Sequence, residues 1–327
     1  MKKLIYANFE KGFAEVVKSI IKKQDKNAVI KKLFDDSVLF FADEHFKCEN
    51  LCFKSSYAVI QSVQKEGLGG LNAAMKQLLE KKGLKISFAK NISTFKLVFL
   101  KENDKVLIDA NLKKAVEIML KRVTKKAISY LSTEAELAFL AKQDGTILFM
   151  KKLETSADYQ KVESKYEILP DVAYMLNFLS EPVAGEVSLD PYASAGMISY
   201  VRALSFKKSN VIANDNDKEN VTKAKSKVKF LRDNKFSVMN YDFLDDKFPI
   251  RFIDKIVTSL PSFTTDNKPI SLIYHEFFEK IFALKVKIVV LMVDKGFATS
   301  KYIYEKYDVD KEIVTKNYKV LKLKIRG

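Results

Sequence analysis

The sequence predicts a protein of two domains: an α+β region at residues 1–153 and an α/β domain with a doubly wound sheet at residues 166–327. The chain has 327 residues, about twice the usual length of one domain. Residues 154–165 are polar and lack periodicity, which is typical of a linker. After this linker, predicted strands and helices alternate, and that order favours a parallel sheet covered by helices on both faces.

The start of the N-terminal region combines strands with amphipathic helices. A strand at residues 4–8 precedes a helix at 10–23, whose apolar residues fall on one face. A hairpin spans residues 28–42, and the pattern from Tyr57 to Glu66 predicts a second helix. This order fits a small α+β unit of ferredoxin-like type.

The run Gly67-Leu68-Gly69-Gly70 is the sharpest break in the N-terminal region. After it we predict a helix at 71–82, a strand at 95–100 and a helix at 112–122. A hairpin follows around Asp144-Gly145, because an Asp-Gly pair between two apolar runs is typical of a tight hairpin turn.

The second domain shows the most regular alternation in the chain. Its last two strands are predicted to close the sheet as an antiparallel hairpin at 312–314 and 319–324. The remaining predicted strands are 186–189, 211–213, 236–239, 255–258 and 286–293, and the predicted helices are 170–179, 196–206, 218–232 and 270–282.

Several acids follow the predicted strands of the second domain. In an open doubly wound sheet, ligands bind outside the carboxyl ends of the strands. Asp190 follows the first strand, Asp215 the second and Asp242 the third, while a loop that starts at Ser259 follows the fourth. We therefore expect a binding site at this edge. The alternative for these acids is ordinary loop capping, and a surface position is favoured for Asp217, Asp245 and Asp246.

Two segments at these strand ends resemble motifs of one enzyme family. Leu189-Asp-Pro-Tyr-Ala-Ser-Ala-Gly196 resembles the D-P-F-x-G-x-G motif of the THUMP class of RNA methyltransferases, and Ile212-Ala-Asn-Asp-Asn-Asp217 resembles their second-strand acid. Leu169-Pro-Asp-Val-Ala-Tyr174 is similar to the helix before the cofactor strand of this family. Residues 134–153 are similar to the THUMP-side segment of bacterial members.

The resemblance implies a Rossmann-like class I methyltransferase domain with a mixed seven-stranded sheet, preceded by a THUMP, ferredoxin-like domain. It also implies S-adenosyl-L-methionine as cofactor and methyl transfer to the exocyclic amine, N2, of a guanosine in tRNA. Glycine at Gly196 lets the backbone approach the methionine part of the cofactor. The cofactor-binding residues that it implies are Asp190, Tyr192, Ser194, Gly196, Asp215 and Asp242.

Three of these acids have specific expected roles. The Asp215 carboxylate suits the two ribose hydroxyls of the cofactor, because it can accept both hydrogen bonds. Asp242 is expected to face the adenine amine. Asp190 is expected to anchor the loop or the cofactor's amino group, and Ser194 stands where the family has its first glycine.

The loop after the fourth strand departs from the family. Relatives carry an N/D-P-P-Y/F/W motif, whose side chains hold an exocyclic amine and stack on the base, whereas this chain has Ser259-Leu260-Pro261-Ser262. We expect Ser259, Pro261 and Phe263 to form the catalytic loop, with Ser259 accepting one hydrogen bond and Phe263 stacking. The alternatives are an inactive RNA-binding protein with the same fold and a methyltransferase for small molecules or proteins.

The charge balance favours a polyanionic partner. The formal net charge is +16, and residues 1–160 carry 29 Lys and Arg against 19 Asp and Glu. An AT-rich genome would also raise the lysine content without any partner. The candidate RNA-binding residues are Lys121, Arg122, Lys125 and Lys126, for which a solvated charged face is the alternative.

Metal binding and disulfide bonds are not expected. His45, Cys48 and Cys52 lie close in the sequence, but a structural zinc site normally needs four nitrogen or sulfur ligands, and the only other histidine is His275. Two cysteines in a chain of this length indicate a reducing cytoplasm. Neither a secretory leader nor an apolar run long enough for a membrane helix is visible.

Overall fold

The computed structural model describes most of the chain as two compact units. The first contains residues 2–8, 24–47 and 53–153, and the second contains residues 9–23, 52 and 167–326. The described ranges are 2–47, 52–64, 70–81, 83–131, 134–153, 167–206, 208–229, 231, 236–262, 269–297 and 301–326.

The first unit is built on one nine-stranded sheet with two helices. The strands are β1 (Lys2–Asn8), β2 (Val29–Leu33), β3 (Ser37–Asp43), β4 (Ser55–Gln64), β5 (Thr94–Lys101), β6 (Asp104–Lys105), β7 (Ala127–Ile128), β8 (Glu136–Ala141) and β9 (Thr146–Lys152). Their order is β2-β3-β1-β4-β9-β8-β5-β6, and β7 pairs with β5. Helices α2 (Gly70–Glu80) and α3 (Ala110–Thr124) contribute Met75 and Leu120 to an apolar core with Phe95 and Phe139 of the sheet.

The prediction of a helix from Tyr57 to Glu66 is wrong, because this segment contains strand β4. It pairs antiparallel with β1 on one side and with β9 on the other, so tertiary pairing supplies its hydrogen bonds. The β-branched residues Val59, Ile60 and Val63 favour a strand at this central position. Residues 65 and 66 lie outside the described ranges.

The second unit has a mixed seven-stranded sheet with order β12-β11-β10-β13-β14-β16-β15. The first five strands pair in parallel and β16 runs antiparallel to β14, as the sequence predicts. Its strands are β10 (Val187–Asp190), β11 (Asn210–Asn214), β12 (Phe236–Met239), β13 (Lys255–Ser259), β14 (Ile288–Asp294), β15 (Tyr307–Val314) and β16 (Tyr318–Ile325). Its helices are α4 (Pro170–Leu179), α5 (Met197–Ser205), α6 (Lys218–Val228), α7 (Ile270–Ala283) and α8 (Lys301–Lys306), of which α8 was not predicted.

Helix α1 (Ala14–Gln24) lies almost entirely in the second unit, although the sequence analysis counted it with the N-terminal region. The turn before it approaches the end of β15 closely. Gly12 has φ +94°, and a Cβ atom there would lie 3.0 Å from the Val314 carbonyl oxygen. At the other end of the helix, the Lys23 ammonium lies 5.3 Å from the ring centroid of Phe178. These contacts are long-range, which explains why local patterns did not reveal them.

A buried ionic cluster ties α5 to the start of the sheet. Arg202 is 1% exposed and pairs with Glu186, whose carboxylate also lies 2.7 Å from the Lys255 ammonium. The Arg202 guanidinium donates further hydrogen bonds to Asn177 and to Ser180, at 3.0 and 2.8 Å. Buried charges are tolerated where they are paired in this way, and the cluster fixes α4 and α5 against the sheet.

Candidate functional site

Hydrogen bonds join the carboxyl ends of β10, β11 and β12 into one site. The loop after β10 reaches helix α5 through two residues with left-handed backbone, Ser194 at φ +50° and Gly196 at φ +82°. A Cβ atom on Gly196 would lie 3.0 Å from the Ala224 Cβ of α6. Only glycine combines this backbone conformation with so close a neighbour, so Gly196 lets the loop after β10 pack tightly against α6.

Asp190 ends strand β10 with a buried carboxyl group. The Thr258 hydroxyl donates a hydrogen bond of 2.7 Å to Oδ1, while Oδ2 is buried without a hydrogen-bond partner among the described residues. Burial, together with the charge of Asp215, raises the pKa of Asp190 to about 7. An unpaired buried carboxylate oxygen is costly, and a cationic group that reached Oδ2 would supply the missing partner.

Asp215 follows β11 and already holds three groups of its own chain. Oδ2 accepts from the Ser194 backbone N–H at 2.7 Å, and Oδ1 accepts from the Asp217 N–H at 3.0 Å and from the Asn220 amide at 3.2 Å. A carboxylate offers about four acceptor sites, so about one remains for a ligand hydroxyl. The geometry thus adds a loop-positioning role to the ribose contact expected from the sequence.

Asn214 is a residue of this site that the sequence analysis missed. Its side chain is fully buried at the end of β11, and its amide donates to the carbonyl oxygens of Pro191 and Tyr241 at 3.1 and 3.0 Å. Its own side-chain oxygen accepts from the Tyr241 N–H at 3.2 Å. One side chain therefore clamps the loops that follow β10 and β12. The sequence signal was an asparagine at the last strand position, next to the acid that drew attention.

Tyr192 and Asp242 occupy different environments. The Tyr192 ring packs against Phe243 and Phe277, with centroids 6.2 and 6.1 Å away, and burial raises its pKa. Its hydroxyl oxygen is buried without a hydrogen-bond partner among the described residues. Asp242 is exposed, and its Oδ1 accepts from the Leu244 N–H at 2.9 Å, so it forms the turn after β12. Tyr192 thus belongs to the wall beneath the site, and Asp242 lies at its rim.

The loop after β13 is anchored to the neighbouring strand and helix. The Leu260 N–H donates to the Met292 carbonyl of β14 at 2.9 Å. The Pro261 carbonyl accepts from the Tyr274 hydroxyl of α7 at 2.8 Å, and burial raises the pKa of Tyr274 to about 12. Ser259 is partly exposed, whereas the predicted stacking residue Phe263 lies outside the described residues.

A cavity of about 550 Å³ opens beside this loop, within the usual size range of ligand pockets. Ser262 forms one side of it and Asp294, at the end of β14, forms another. The remaining lining residues are mostly apolar or aromatic: Ile270, Ser271, Tyr274, His275, Phe278, Gly296, Phe297 and Ile303.

The predicted RNA-binding residues lie at the end of α3 in the first unit. Lys121 and Arg122 are exposed in the last turn, Lys125 is the exposed C-cap and Lys126 is half-buried. Helical spacing places Lys114 and Ile118 on the same face, where Ile118 is 53% exposed. Lys114, Lys121, Arg122 and Lys125 form no ion pair with any residue that the structure describes, so their charges remain available to a partner.

Cys52 is buried and Cys48 lies outside the described residues. Burial raises the pKa of the Cys52 thiol well above its usual value. In the part of the chain that the structure describes, no group of three or more His, Cys, Asp or Glu side chains could hold a metal ion. No helix in that part is both long and apolar enough to cross a membrane.

The fold resembles those of methyltransferase structures over the whole chain. TrmN from Thermus thermophilus has a TM-score of 0.76 at 14% identity, with 100% of both chains covered. A possible methylase from Clostridium difficile 630 has a TM-score of 0.71 at 15% identity, covering 100% of this chain and 99% of that one. SMU.472, assigned as a methyltransferase and solved with SAH, has a TM-score of 0.69 at 12% identity, with 100% and 99% covered.

These likenesses confirm the predicted Rossmann-like methyltransferase fold and, at such identities, show the fold alone. No protein-family model matches the sequence, and no curated protein matches it either.

Proposed function

We propose that this protein is an S-adenosylmethionine-dependent RNA methyltransferase that acts on the exocyclic amine, N2, of a guanosine in tRNA. The observation that carries the proposal is the loop after β10. There a buried carboxylate oxygen of Asp190 lacks a partner among the described residues, and Gly196 allows a tight left-handed turn at the carboxyl edge of the sheet. This edge is where doubly wound sheets bind ligands.

The residues at this edge fit the proposed cofactor. Asp190 Oδ2 would accept a hydrogen bond from the amino group of its methionine part, which satisfies the unpaired oxygen. Asp215 has about one acceptor site left for a ribose hydroxyl. The proposed site is completed by Ser194 in the loop after β10, by Tyr192 in the wall beneath the site and by Asp242 at its rim. S-adenosylmethionine bound there would supply an electrophilic methyl group.

The task of the loop after β13 is to hold a poorly nucleophilic amine. The transfer would form a bond between the methyl carbon and N2 and would break the carbon–sulfur bond, with the electron pair leaving on sulfur. The amine then loses one proton, so no strong base is required before transfer. Ser259 is partly exposed and can accept one hydrogen bond from the amine, which orients its lone pair. Pro261, held by Tyr274, fixes the course of the loop.

The proposed RNA contact rests on the exposed face of α3. Lys121, Arg122, Lys125 and Lys126 follow one another closely, and Lys114 extends the same face by about two turns. Lys and Arg side chains on one helix face are typical of phosphate binding, which supplies most sequence-independent affinity for nucleic acids. We propose accordingly that the first unit is a THUMP-like RNA-binding domain. We also propose, from the low cysteine content, that the protein works in the cytoplasm.

A second candidate is an RNA-binding protein that keeps the fold without catalysis. The observation that favours it is Ser259-Leu260-Pro261-Ser262, since a serine replaces the amide or carboxylate that relatives use. Loss of one preorganised polar group typically costs on the order of 10² to 10³ in rate. Methyl transfer to RNA distinguishes the two candidates, whereas RNA binding alone does not.

The test combines calorimetric titration with S-adenosylmethionine and transfer of a labelled methyl group to total RNA. Asp190→Asn removes the proposed partner of the amino group, and Asp217→Asn is the matched control. Asp217 caps α6 by accepting from the Glu219 N–H at 2.7 Å, and asparagine caps helices equally well. We expect micromolar binding in the wild type and the control but not in Asp190→Asn, with transfer to RNA rather than to a metabolite pool. Binding without transfer to RNA would favour the second candidate.

A further inference from the structure

The cavity beside the β13 loop contains a single acid among its described lining residues, Asp294. Three aromatic side chains also line it: Tyr274, Phe278 and Phe297. The Tyr274 and Phe297 rings meet edge to face with centroids 5.1 Å apart. Ser262, Ser271 and His275 add further polar groups to the lining. Aromatic walls with a few polar groups that fix orientation are typical of pockets for flat, partly polar ligands such as a nucleobase.

Asp294 lies at the same edge of the sheet as the proposed catalytic loop. It is two residues beyond Met292, whose carbonyl accepts a hydrogen bond from the Leu260 N–H. The carboxyl ends of β13 and β14 therefore lie side by side. The charge of Asp294 also contributes to the raised pKa of Tyr274, whose hydroxyl donates to Pro261. The carboxylate is therefore a neighbour of the Ser259–Ser262 segment.

The Asp294 carboxylate is held in place but not saturated. The Gly296 N–H donates to Oδ1 at 2.7 Å. Oδ2 has no hydrogen-bond partner among the residues that the structure describes, and Asp294 is exposed and lines the cavity. An ionised carboxylate only accepts hydrogen bonds, and it can take two parallel donors.

Guanine is the base whose edge matches such a group. Its Watson–Crick edge presents two adjacent donors, N1–H and the N2 amine. Adenine and cytosine each present a donor beside an acceptor, and uracil has one donor between two acceptors. A carboxylate thus pairs fully with guanine and leaves an acceptor facing an acceptor with the other bases, which disfavours their binding.

We propose that Asp294 selects the target base by accepting hydrogen bonds from N1–H and N2 of a guanine that lies among Tyr274, Phe278 and Phe297. The inference rests on the proposed function, because it concerns the base methylated at that site. It assigns to β14 the acceptor that relatives carry on the β13 loop and that Ser259 supplies only in part.

The test measures nucleotide binding and needs no catalysis. Guanosine, inosine and adenosine 5′-monophosphates are titrated into the protein in the presence of S-adenosylhomocysteine, with saturation-transfer NMR as the readout. We expect guanosine monophosphate to bind at least about tenfold more tightly than adenosine monophosphate. Inosine monophosphate, which has N1–H but no N2 amine, should fall between them.

Two variants of Asp294 and one control complete the design. Asp294→Asn keeps an oxygen for the Gly296 N–H but presents a donor beside an acceptor, so the preference for guanosine should fall by at least about tenfold and affinity for adenosine should rise. Asp294→Ala should lose the preference without gaining adenosine affinity. Asp308→Asn removes an equal charge at an exposed ion pair of the same unit and should change nothing.

Each outcome separates the two proposals. Equal binding of the three nucleotides, no binding at millimolar concentration, or an unchanged preference in both Asp294 variants would overturn the role of Asp294. A guanosine preference that depends on Asp294, without any methyl transfer, would support the pocket and overturn the enzymatic proposal. Methyl transfer by Asp294→Asn with wild-type base preference would support the enzymatic proposal and overturn the role of Asp294.

Discussion

Replacing Asp190 by asparagine should stabilise the unliganded second unit at alkaline pH. The buried carboxyl group has a pKa of about 7 instead of 3.8, so the folded state binds more protons than the unfolded state between these values. Stability from this group is therefore complete below pH 4 and is lost as pH rises toward 7. The difference between the two pKa values corresponds to roughly 4 kcal/mol in the free energy of unfolding, at about 1.36 kcal/mol per pKa unit.

An asparagine fits the same space. Its oxygen can accept from the Thr258 hydroxyl, and its amide nitrogen takes the position of the unpaired Oδ2. When the pH rises from 5.5 to 8, the free energy of unfolding of the wild type should fall by about 2 kcal/mol relative to that of Asp190→Asn, because the asparagine does not titrate. For a unit of this size, that corresponds to a relative shift in melting temperature of roughly 4–8 °C.

The assay is thermal unfolding of both proteins at pH 5.5 and pH 8, without ligand. Taking the difference between the two proteins cancels the titration of all other groups that both share. A melting difference that stays constant over this pH range would refute the raised pKa of Asp190. A variant less stable than the wild type at pH 8 would show that Oδ2 has a partner of its own chain.

Three further changes test the site and the RNA contact. Gly196→Ala should weaken binding of S-adenosylmethionine at least tenfold, because an alanine in left-handed backbone costs about 1–2 kcal/mol and its Cβ would lie 3.0 Å from Ala224. An unchanged dissociation constant in calorimetric titration would contradict this. Asn214→Ala removes the partner of three backbone groups, of which the Pro191 carbonyl is buried, and should destabilise the second unit by about 1–3 kcal/mol in urea unfolding; an effect below about 0.5 kcal/mol would count against the clamp. Glutamine in place of Lys121, Arg122 and Lys125 should reduce the salt dependence of RNA binding by about 2 in the log–log slope. The same change at the exposed Lys218, Lys225 and Lys229 of the second unit is the control, and equal slopes for all three proteins would exclude this face of α3.

The strand ends that carry the candidate site could be placed from the sequence, because its acids lie at or just after predicted strands. Asp190 ends β10, Asp215 follows β11 and Asp242 lies three residues after β12, and the parallel order brings those ends to one edge. Gly196 could be identified for the same reason, since a tight turn needs a residue that tolerates positive φ. The hydrogen bonds that Asp215 makes within the chain were not predictable, because they depend on the exact course of the loop after β10.

Elements that depend on distant partners were the ones mispredicted or missed. Strand β4 carries β-branched residues that suit a strand, but the pairing with β1 and β9 that supplies its hydrogen bonds involves segments far away in the sequence. Helix α1 was predicted correctly as a helix, but its packing in the second unit depends on Gly12 meeting Val314 about 300 residues later in the chain. Asn214 and Asp294 also stand at strand ends, but they were overlooked because the hydrogen bonds of Asn214 and the cavity at Asp294 are formed by segments that lie far apart in the sequence.

The most direct test of the proposed enzyme is transfer of a tritiated methyl group from S-adenosylmethionine to RNA, followed by nucleoside analysis of the product. The wild type should label RNA and yield N2-methylguanosine, while Asp190→Asn, folded and stabilised at pH 8, should yield none. Label in another nucleoside would contradict the proposed target. The absence of label in RNA, in a protein that binds the cofactor at micromolar concentration, would contradict the enzymatic account and leave the RNA-binding candidate.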